Sequence, residues 1–294
     1  KECIILMKGK QGLDKFYTKN EVVDLVFENI DIDAYDCLIE PAAGDGQFLK
    51  RLPREKSFGF DISPDCGMVI EADFLEIDLE DFSNKQEYGE TDLSTFQSCL
   101  KHGKIISIGN PPFGKNASLA VRFFNKCAQF SDTIAFILPR TFRKPSVINR
   151  LDKNFFLKKE LILPLASFYT PENKADYSVP TVFQIWEKRD QPRKKVATLT
   201  KHKDFTFCSP SDKNEADFCI RRVGAGAGTV YTDFKEEKRS HKSHYYIKQK
   251  KDNTIDKFRS IDWNDKSGAK YDTAGNPSIS KHDLITAYNK LGDE

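Results

Sequence analysis

Cys37-Leu38-Ile39-Glu40-Pro41-Ala42-Ala43-Gly44-Asp45-Gly46 is the stretch that decides the fold of this 294-residue chain. A short apolar run bounded by turn residues reads as a buried strand. Gly44 and Gly46 let the backbone turn tightly, and let a ligand approach it with no Cβ in the way. Positions 48–52 then begin a helix, whose free N–H groups and positive end suit an anionic or polar ligand. Strand, glycine turn and helix make a nucleotide cradle. The spacing departs from G-x-G-x-x-G, which counts against a dinucleotide.

Working outward, the alternation repeats. Positions 21–30 have helical apolar spacing after the polar Thr18-Lys19-Asn20 start. Positions 57–61 read as a second strand, 70–74 as a short third, and 105–108 as a fourth, ended by Gly109. An amphipathic helix is expected over 118–130. A fifth strand covers 133–138, closed by Pro139, and a further strand covers 179–186. Such alternation predicts an α/β fold, a doubly wound and mostly parallel sheet with helices on both faces. Ligands of such sheets bind at the carboxyl ends of the strands, near the topological switch point. Positions 81–103 are polar, an insertion or a helix with loops, and carry no evident chemistry. The composition changes after Arg189, and Gln191-Pro192-Arg193-Lys194-Lys195 reads as a linker. A small α+β appendage follows, with Gly224-Ala225-Gly226-Ala227-Gly228, short β-type runs at 230–231 and 245–247, and a helix near 281–291. The expected domains are 1–190 and 191–294.

Hydrophobic residues make up 39% and charged residues 31%, ordinary values for a soluble domain. No apolar run reaches the roughly 18 residues of a membrane helix. Ile4-Ile5-Leu6-Met7 is too short for a secretory signal. The cysteines, at 3, 37, 66, 99, 127, 208 and 219, form no C-x-x-C pair and no zinc pattern, so no metal is expected. Scattered thiols suit a reducing compartment, cytoplasmic or nuclear, in a cell or a virus-infected host. Net charge is +2 overall, but residues 191–294 carry 21 Lys+Arg against 15 Asp+Glu. A polyanion partner and a plain solvated surface both fit that excess.

Further chemistry gathers at strand ends. Gly59-Phe60-Asp61-Ile62 puts a carboxylate 15 and 17 residues after Gly46 and Gly44, where it could accept from ribose hydroxyls. In Glu71-Ala72-Asp73-Phe74, Asp73 could accept from an adenine amino group while Phe74 flanks the ring. Each acid alone could equally be a cap or a surface charge. The fourth strand ends in Asn110-Pro111-Pro112-Phe113-Gly114. The prolines fix the backbone and remove two N–H donors. The Asn110 amide oxygen and the Pro111 carbonyl are then acceptors for a ring-borne amine, and Phe113 offers a stacking face. An amine conjugated to a ring is a poor nucleophile. Two acceptors out of the ring plane favour a tetrahedral nitrogen and localise its lone pair. The alternative is a Pro-Pro turn with a core phenylalanine.

On these motifs, residues 13–188 resemble the amino-methylating class I methyltransferases, most closely the gamma-class, TaqI-type DNA N6-adenine enzymes. The resemblance implies S-adenosylmethionine as cofactor and the N6 amino group of adenine as acceptor. It implies that Phe16, Tyr17 and Thr18 touch the cofactor, and that Glu40, Pro41, Ala42, Gly44 and Gly46 lie by its methionine part. Asp61 would hold the ribose, Ile62 would face the cofactor adenine, and Asp73 with Phe74 would recognise that ring. Asn110, Pro111, Pro112 and Phe113 match the catalytic tetrapeptide. A later aromatic stacking on the flipped base is assigned to Phe168, with Tyr169 as rival. About 100 residues follow the matched stretch, too few to be expected to form the large target-recognition domain usual in that family. Instead, 218–224 and 243–248 resemble C-terminal segments of small phage- and virus-type adenine methyltransferases.

The partner expected is nucleic acid, DNA favoured over RNA, with no membrane. An adenine must be flipped from a duplex or offered by a single strand. Arg140, Arg143 and Lys144, Arg221 and Arg222, and the run 235–251 with His241, His244, Tyr245 and Tyr246, are candidate phosphate and base contacts. An RNA adenine methyltransferase is the first alternative. A glutamine-amide methyltransferase fits less well, because Phe113 stands where tyrosine would, and a non-catalytic scaffold fits least.

Overall fold

The computed structural model describes residues 16–78, 87–88, 91–170, 175–234, 239–273 and 275–292. The 4–7 patch, part of 81–103 and positions 235–238 of the basic run lie outside the described residues. The chain forms two compact units. One comprises Lys1–Pro139 with Asn149–Lys194, the other Arg140–Ile148 with Lys195–Glu294. The boundary thus falls at Lys194 rather than 190, and a segment from the middle of the chain belongs with the C-terminal part. No helix among the described residues is long and apolar enough to cross a membrane.

The strands of the first unit are β1 (Tyr17–Thr18), β2 (Cys37–Glu40), β3 (Ser57–Asp61), β4 (Ile70–Glu71), β5 (Glu87–Tyr88), β6 (Thr91–Asp92), β7 (Ile105–Gly109), β8 (Thr133–Pro139), β9 (Phe155–Ile162), β10 (Phe168–Tyr169), β11 (Asp176–Tyr177) and β12 (Thr181–Lys188). Seven of them make the main sheet, in the order β4-β3-β2-β7-β8-β12-β9. Neighbours from β4 to β8 are parallel, while β12 runs antiparallel to both β8 and β9. The expected mixed α/β, mostly parallel sheet is present. The chain moves outward from β2 through β3 to β4, then returns to place β7 on the other side of β2. The switch point therefore lies between β2 and β7, where ligand crevices form beyond the carboxyl ends of the strands.

Burial explains why these segments are strands. Every residue of β2, β7 and β8 is buried, as expected of parallel strands covered on both faces. Helix α1 (Asn20–Phe27) turns Val22, Val23 and Val26 inward. Val22 and Val23 join a core with Leu38, Phe48, Ile106, Ile108, Ile137 and Phe183. Helix α2 (Ser94–His102) occupies the end of the polar 81–103 stretch. Helix α3 (Ser118–Cys127) buries Ala120, Val121, Phe123, Phe124 and Cys127. The helix expected from Phe48 onward is a single 3-10 turn, Leu49–Arg51. Pro53 explains its brevity, because a residue before proline is driven out of the helical region, and Leu52 is extended at ψ 150°. Separately, β1, β10 and β11 form a small antiparallel sheet in the order β1-β10-β11.

In the second unit, β13 (Phe205–Phe207), β14 (Phe218–Arg221), β15 (Val230–Tyr231) and β16 (His244–Gln249) pair antiparallel as β13-β16-β14-β15. Three helices accompany them, α4 (Pro145–Ile148), α5 (Thr254–Ser260) and α6 (Lys281–Lys290). Phe205, Phe218, Ile220, Ile247, Phe258 and Leu284 share one core. Helix α6 begins in a capping box, with Ser280 and Asp283 each satisfying the other's backbone N–H.

Candidate active site

A cavity of about 540 Å³ opens in the first unit at the carboxyl ends of β2, β3 and β7. Phe16, Tyr17, Thr18, Glu40, Pro41, Ala42, Gly44, Asp61, Ile62, Asp73, Phe74, Asn110, Pro111, Pro112, Phe113 and Phe168 all line it. Gly46 and Tyr169 do not. Gly46 stands at φ +74° and donates its N–H to the Ala43 carbonyl at 2.7 Å, so it shapes the turn from behind.

The turn is braced from several sides. Gly44 sits at φ +50°, and a Cβ there would fall 2.8 Å from Cε1 of Tyr17. Only glycine lets the tyrosine ring lie that close. The Tyr17 hydroxyl donates to Asp65, and Asp65 N–H donates to the Gly44 carbonyl at 3.0 Å. Burial, then the Asp65 bond, holds the Tyr17 phenol far above its ordinary pKa. Asp61 accepts from Gly44 N–H at 2.9 Å with one oxygen and from Ser63 N–H at 2.9 Å with the other. Asp73 accepts from Leu75 N–H at 3.0 Å. Both acids brace backbone turns and line the cavity.

Glu40 is 2% exposed and accepts the Leu49 N–H at 3.0 Å. Burial pushes its carboxyl well above the ordinary range, and that single N–H offsets the shift only in part. Phe74 is deeper than a cofactor-flanking ring needs to be. It lies parallel to Phe123 at 6.1 Å and contacts Phe60, so it is a wall of the aromatic core that reaches the cavity.

Just beyond the end of β7, Asn110 Nδ2 donates to Thr18 Oγ1 at 3.3 Å. Its amide oxygen is shielded and has no hydrogen-bond partner among the described residues. An unmet buried acceptor costs about 1–3 kcal/mol, and this oxygen is closed to solvent as the side chain stands. Pro111 is buried, Pro112 is exposed and Phe113 is half-buried. The Phe113 carbonyl accepts from Leu119 and Ala120 N–H at 3.1 and 3.2 Å, which ties the tetrapeptide to the start of α3. Gly114 stands at φ +67°, and a Cβ there would lie 2.8 Å from Cβ of Leu119. Asn116 and Ala117 are also left-handed, at φ 53° and 58°. Such residues cost about 1–2 kcal/mol each, so strain is stored directly after the tetrapeptide.

The aromatic expectations change. Phe168 is 1% exposed and belongs to the main core, so its ring reaches the cavity but has no free face for a base. Tyr169 turns away and donates to Asp45 at 2.8 Å; burial and that bond push its phenol up to about 12. The sequence reading missed Tyr177, on β11. It is 37% exposed, lines the cavity and stacks on Phe16 with centroids 3.8 Å apart at 12°. Its two-residue strand is too short for any periodicity to reveal. Lys115, also missed, lines the cavity as well.

Several expected phosphate contacts are corrected. Arg140 is 5% exposed and bonds Asp272 at 2.9 Å, Lys266 O at 2.6 Å and Gly268 O at 3.4 Å. Arg143 pairs with the same Asp272 at 2.8 Å, and Lys144 with Asp283 at 3.6 Å. These three cations are ties within the second unit. Arg222 lies over the Tyr245 ring at 4.8 Å. His241 packs on Tyr246 at 4.4 Å, and burial lowers its pKa. His244 and Tyr246 are buried. Arg221 stays exposed, with its Nε donating to Val223 O at 3.0 Å. No group of three or more metal-capable side chains occurs among the described residues.

No protein-family model and no curated protein matches the chain. Among solved structures, it is similar to a Vibrio vulnificus YJ016 protein described as the "modification subunit of a putative type I restriction enzyme", at 17% identity and TM-score 0.41, covering 64% of this chain and 48% of that one. It thus spans about half the length of that relative. A "putative RNA methyltransferase" of Pyrococcus horikoshii aligns at 20% identity and TM-score 0.36, over 57% of this chain and 81% of the other. The 23S rRNA methyltransferase ErmE aligns at 12% identity and TM-score 0.38, over 60% of this chain and 71% of the other.

Proposed function

We propose that this chain transfers the methyl group of S-adenosylmethionine to the N6 amino group of adenine in nucleic acid, with DNA the preferred polymer. The observation that carries this reading is that Asn110, Pro111, Pro112 and Phe113 line the same cavity as the glycine turn and the strand-end acids Asp61 and Asp73.

The cavity residues fit the cofactor. Asp45, Asp61 and Asp73 stand against Lys115 among the lining residues, which favours a cationic ligand, and Gly44 opens the backbone to it. Glu40 and Gly44 would hold the amino-acid part, Asp61 the ribose, and Ile62, Asp73 and Phe74 the adenine. When bound, S-adenosylmethionine supplies a methyl group activated on a sulfonium. The chain's own part is to prepare the acceptor. Asn110, with its side chain turned to bring the amide oxygen into the cavity, and the Pro111 carbonyl would accept the two amine hydrogens and draw the lone pair out of conjugation. Phe113 stacks on the ring and fixes its plane. No ionised base is needed before attack, since the amine gives up a proton afterwards. The second unit, with the basic excess of residues 191–294, is the part that would hold the polymer.

Radiolabelled methyl transfer to duplex DNA, single-stranded DNA, RNA and a release-factor glutamine peptide tests the proposal. Label in adenine of DNA is expected, and label in adenine of RNA alone would shift the polymer. Transfer to the peptide alone would defeat the adenine assignment.

A further inference from the structure

The loop that joins β14 to β15 in the second unit keeps its acceptors occupied and leaves donors open. The three carbonyls at its tip are all engaged. Gly224 O accepts Ala227 N–H at 2.9 Å, and Gly226 O accepts the Thr229 N–H at 3.1 Å and the Thr229 hydroxyl at 2.9 Å. Ala225 O accepts from the Lys270 ammonium at 2.7 Å, and Lys270 is 3% exposed. The N–H groups of Ala225 and Gly226 have no hydrogen-bond partner among the described residues. In a trans peptide the C=O and N–H point opposite ways, so the Gly226 N–H is turned away from the buried Lys270. Ala225 is exposed.

Arg221 lies along the same loop. Its Nε donates to Val223 O at 3.0 Å, which folds the side chain back over the turn. A Cβ on Gly226 would fall 3.2 Å from Arg221 Nη1, and one on Gly224 would fall 3.4 Å from Nη2. Small residues at both positions therefore let the guanidinium rest against the loop. Nη1 and Nη2 meet no hydrogen-bond or ion-pair partner among the described residues.

We infer that Arg221 and the Ala225 and Gly226 amides form a site for a backbone phosphate of the nucleic-acid substrate. Successive free N–H groups make an anion-binding concavity, and a planar guanidinium matches phosphate oxygens. With no free acceptor at the loop tip, the site suits an oxyanion and not a base edge, so it positions a strand without reading its sequence. The loop is held ready. Gly224 N–H donates to Pro277 O at 2.8 Å, Gly228 N–H donates to Arg221 O at 2.7 Å, and Ala227 sits in the core of the unit. The inference rests on nucleic acid being the substrate, and it names the part of the second unit that grips the polymer.

Oligo-dT is the probe, because it offers phosphates and no adenine for the catalytic cavity. Fluorescence anisotropy over a range of salt gives Kd for wild type, Arg221→Ala and Arg259→Ala, the last an exposed cation on α5. For Arg221→Ala we expect binding about three- to tenfold weaker, a slope of log Kd against log salt smaller by about 1, and an unchanged denaturant midpoint. Arg259→Ala should stay within about twofold of wild type. In wild type the Ala225 and Gly226 1H–15N amide signals should move as oligo-dT is added. Unchanged affinity and slope in Arg221→Ala, unmoved loop amides, or an equal loss in Arg259→Ala would overturn the inference while leaving the adenine reaction intact. A chain that binds oligo-dT through this loop yet methylates no adenine would defeat the proposed function and leave the phosphate site standing.

Discussion

Glu40 couples the site to pH. Burial favours its neutral carboxyl, so its folded pKa lies above the ordinary 4.5. The stability this contributes is complete below that ordinary value and is lost as pH rises through the folded pKa. Glu40→Gln keeps a neutral acceptor for the Leu49 N–H and cannot ionise. Denaturant midpoints of the ligand-free chain, followed from about pH 4 to about pH 8, should decline in wild type and stay flatter in the variant. Parallel curves would show that Glu40 is already solvated. Glu40 itself was legible in the sequence, as the acid ending an apolar run before a glycine turn. Its burial was not, because that depends on Gly109, whose backbone passes beside it. A Cβ on Gly109 would lie 3.2 Å from Cγ of Glu40.

Among the elements, the tetrapeptide loop depends on backbone shape. Gly114→Ala must adopt φ +67° and bring a methyl to 2.8 Å from Leu119 Cβ, two carbons on fixed backbone. Stability should fall by about 1–2 kcal/mol or more, and turnover should fall with it, because the loop also starts α3. Equilibrium unfolding and steady-state rates check this, and unchanged values would mean that the loop relaxes freely. The buried strands were plain in the sequence because all-apolar runs such as Ile105-Ile106-Ser107-Ile108 leave one reading. Strand β9 was not seen, since Lys158, Lys159 and Glu160 interrupt its pattern. Those charges suit an edge strand that must not pair further. The helix expected from Phe48 stops after one turn because Pro53 holds Leu52 extended. The motif residues converge on one cavity, yet Phe168 and Tyr177 trade exposure in a way that only the pairing of β10 with β11 reveals.

For the whole molecule, the chain crosses between its two units three times, at 139/140, 148/149 and 194/195. Sequence reading places one boundary near 190 and cannot see that Arg140–Ile148 is bound to Asp272 and Asp283 more than 120 residues away. Asp272→Ala removes the carboxylate shared by Arg140 and Arg143 and leaves the buried Arg140 charge held by backbone carbonyls. A loss of about 3–5 kcal/mol of stability is expected in denaturant unfolding, whereas Arg221→Ala, on an exposed cation, should change little. Similar small losses in both would mean that water replaces the Asp272 ties. The central claim is that the Asn110 amide prepares an adenine amine for methylation. Nucleoside mass spectrometry on DNA and RNA after incubation with S-adenosylmethionine tests it most directly, comparing wild type with an Asn110→Ala variant whose cofactor affinity is measured in parallel. N6-methyladenine from wild type, and about a hundredfold less from the variant at unchanged cofactor affinity, is the predicted result. Full N6-methyladenine yield from Asn110→Ala, or a methylated product other than N6-methyladenine from wild type, would contradict it.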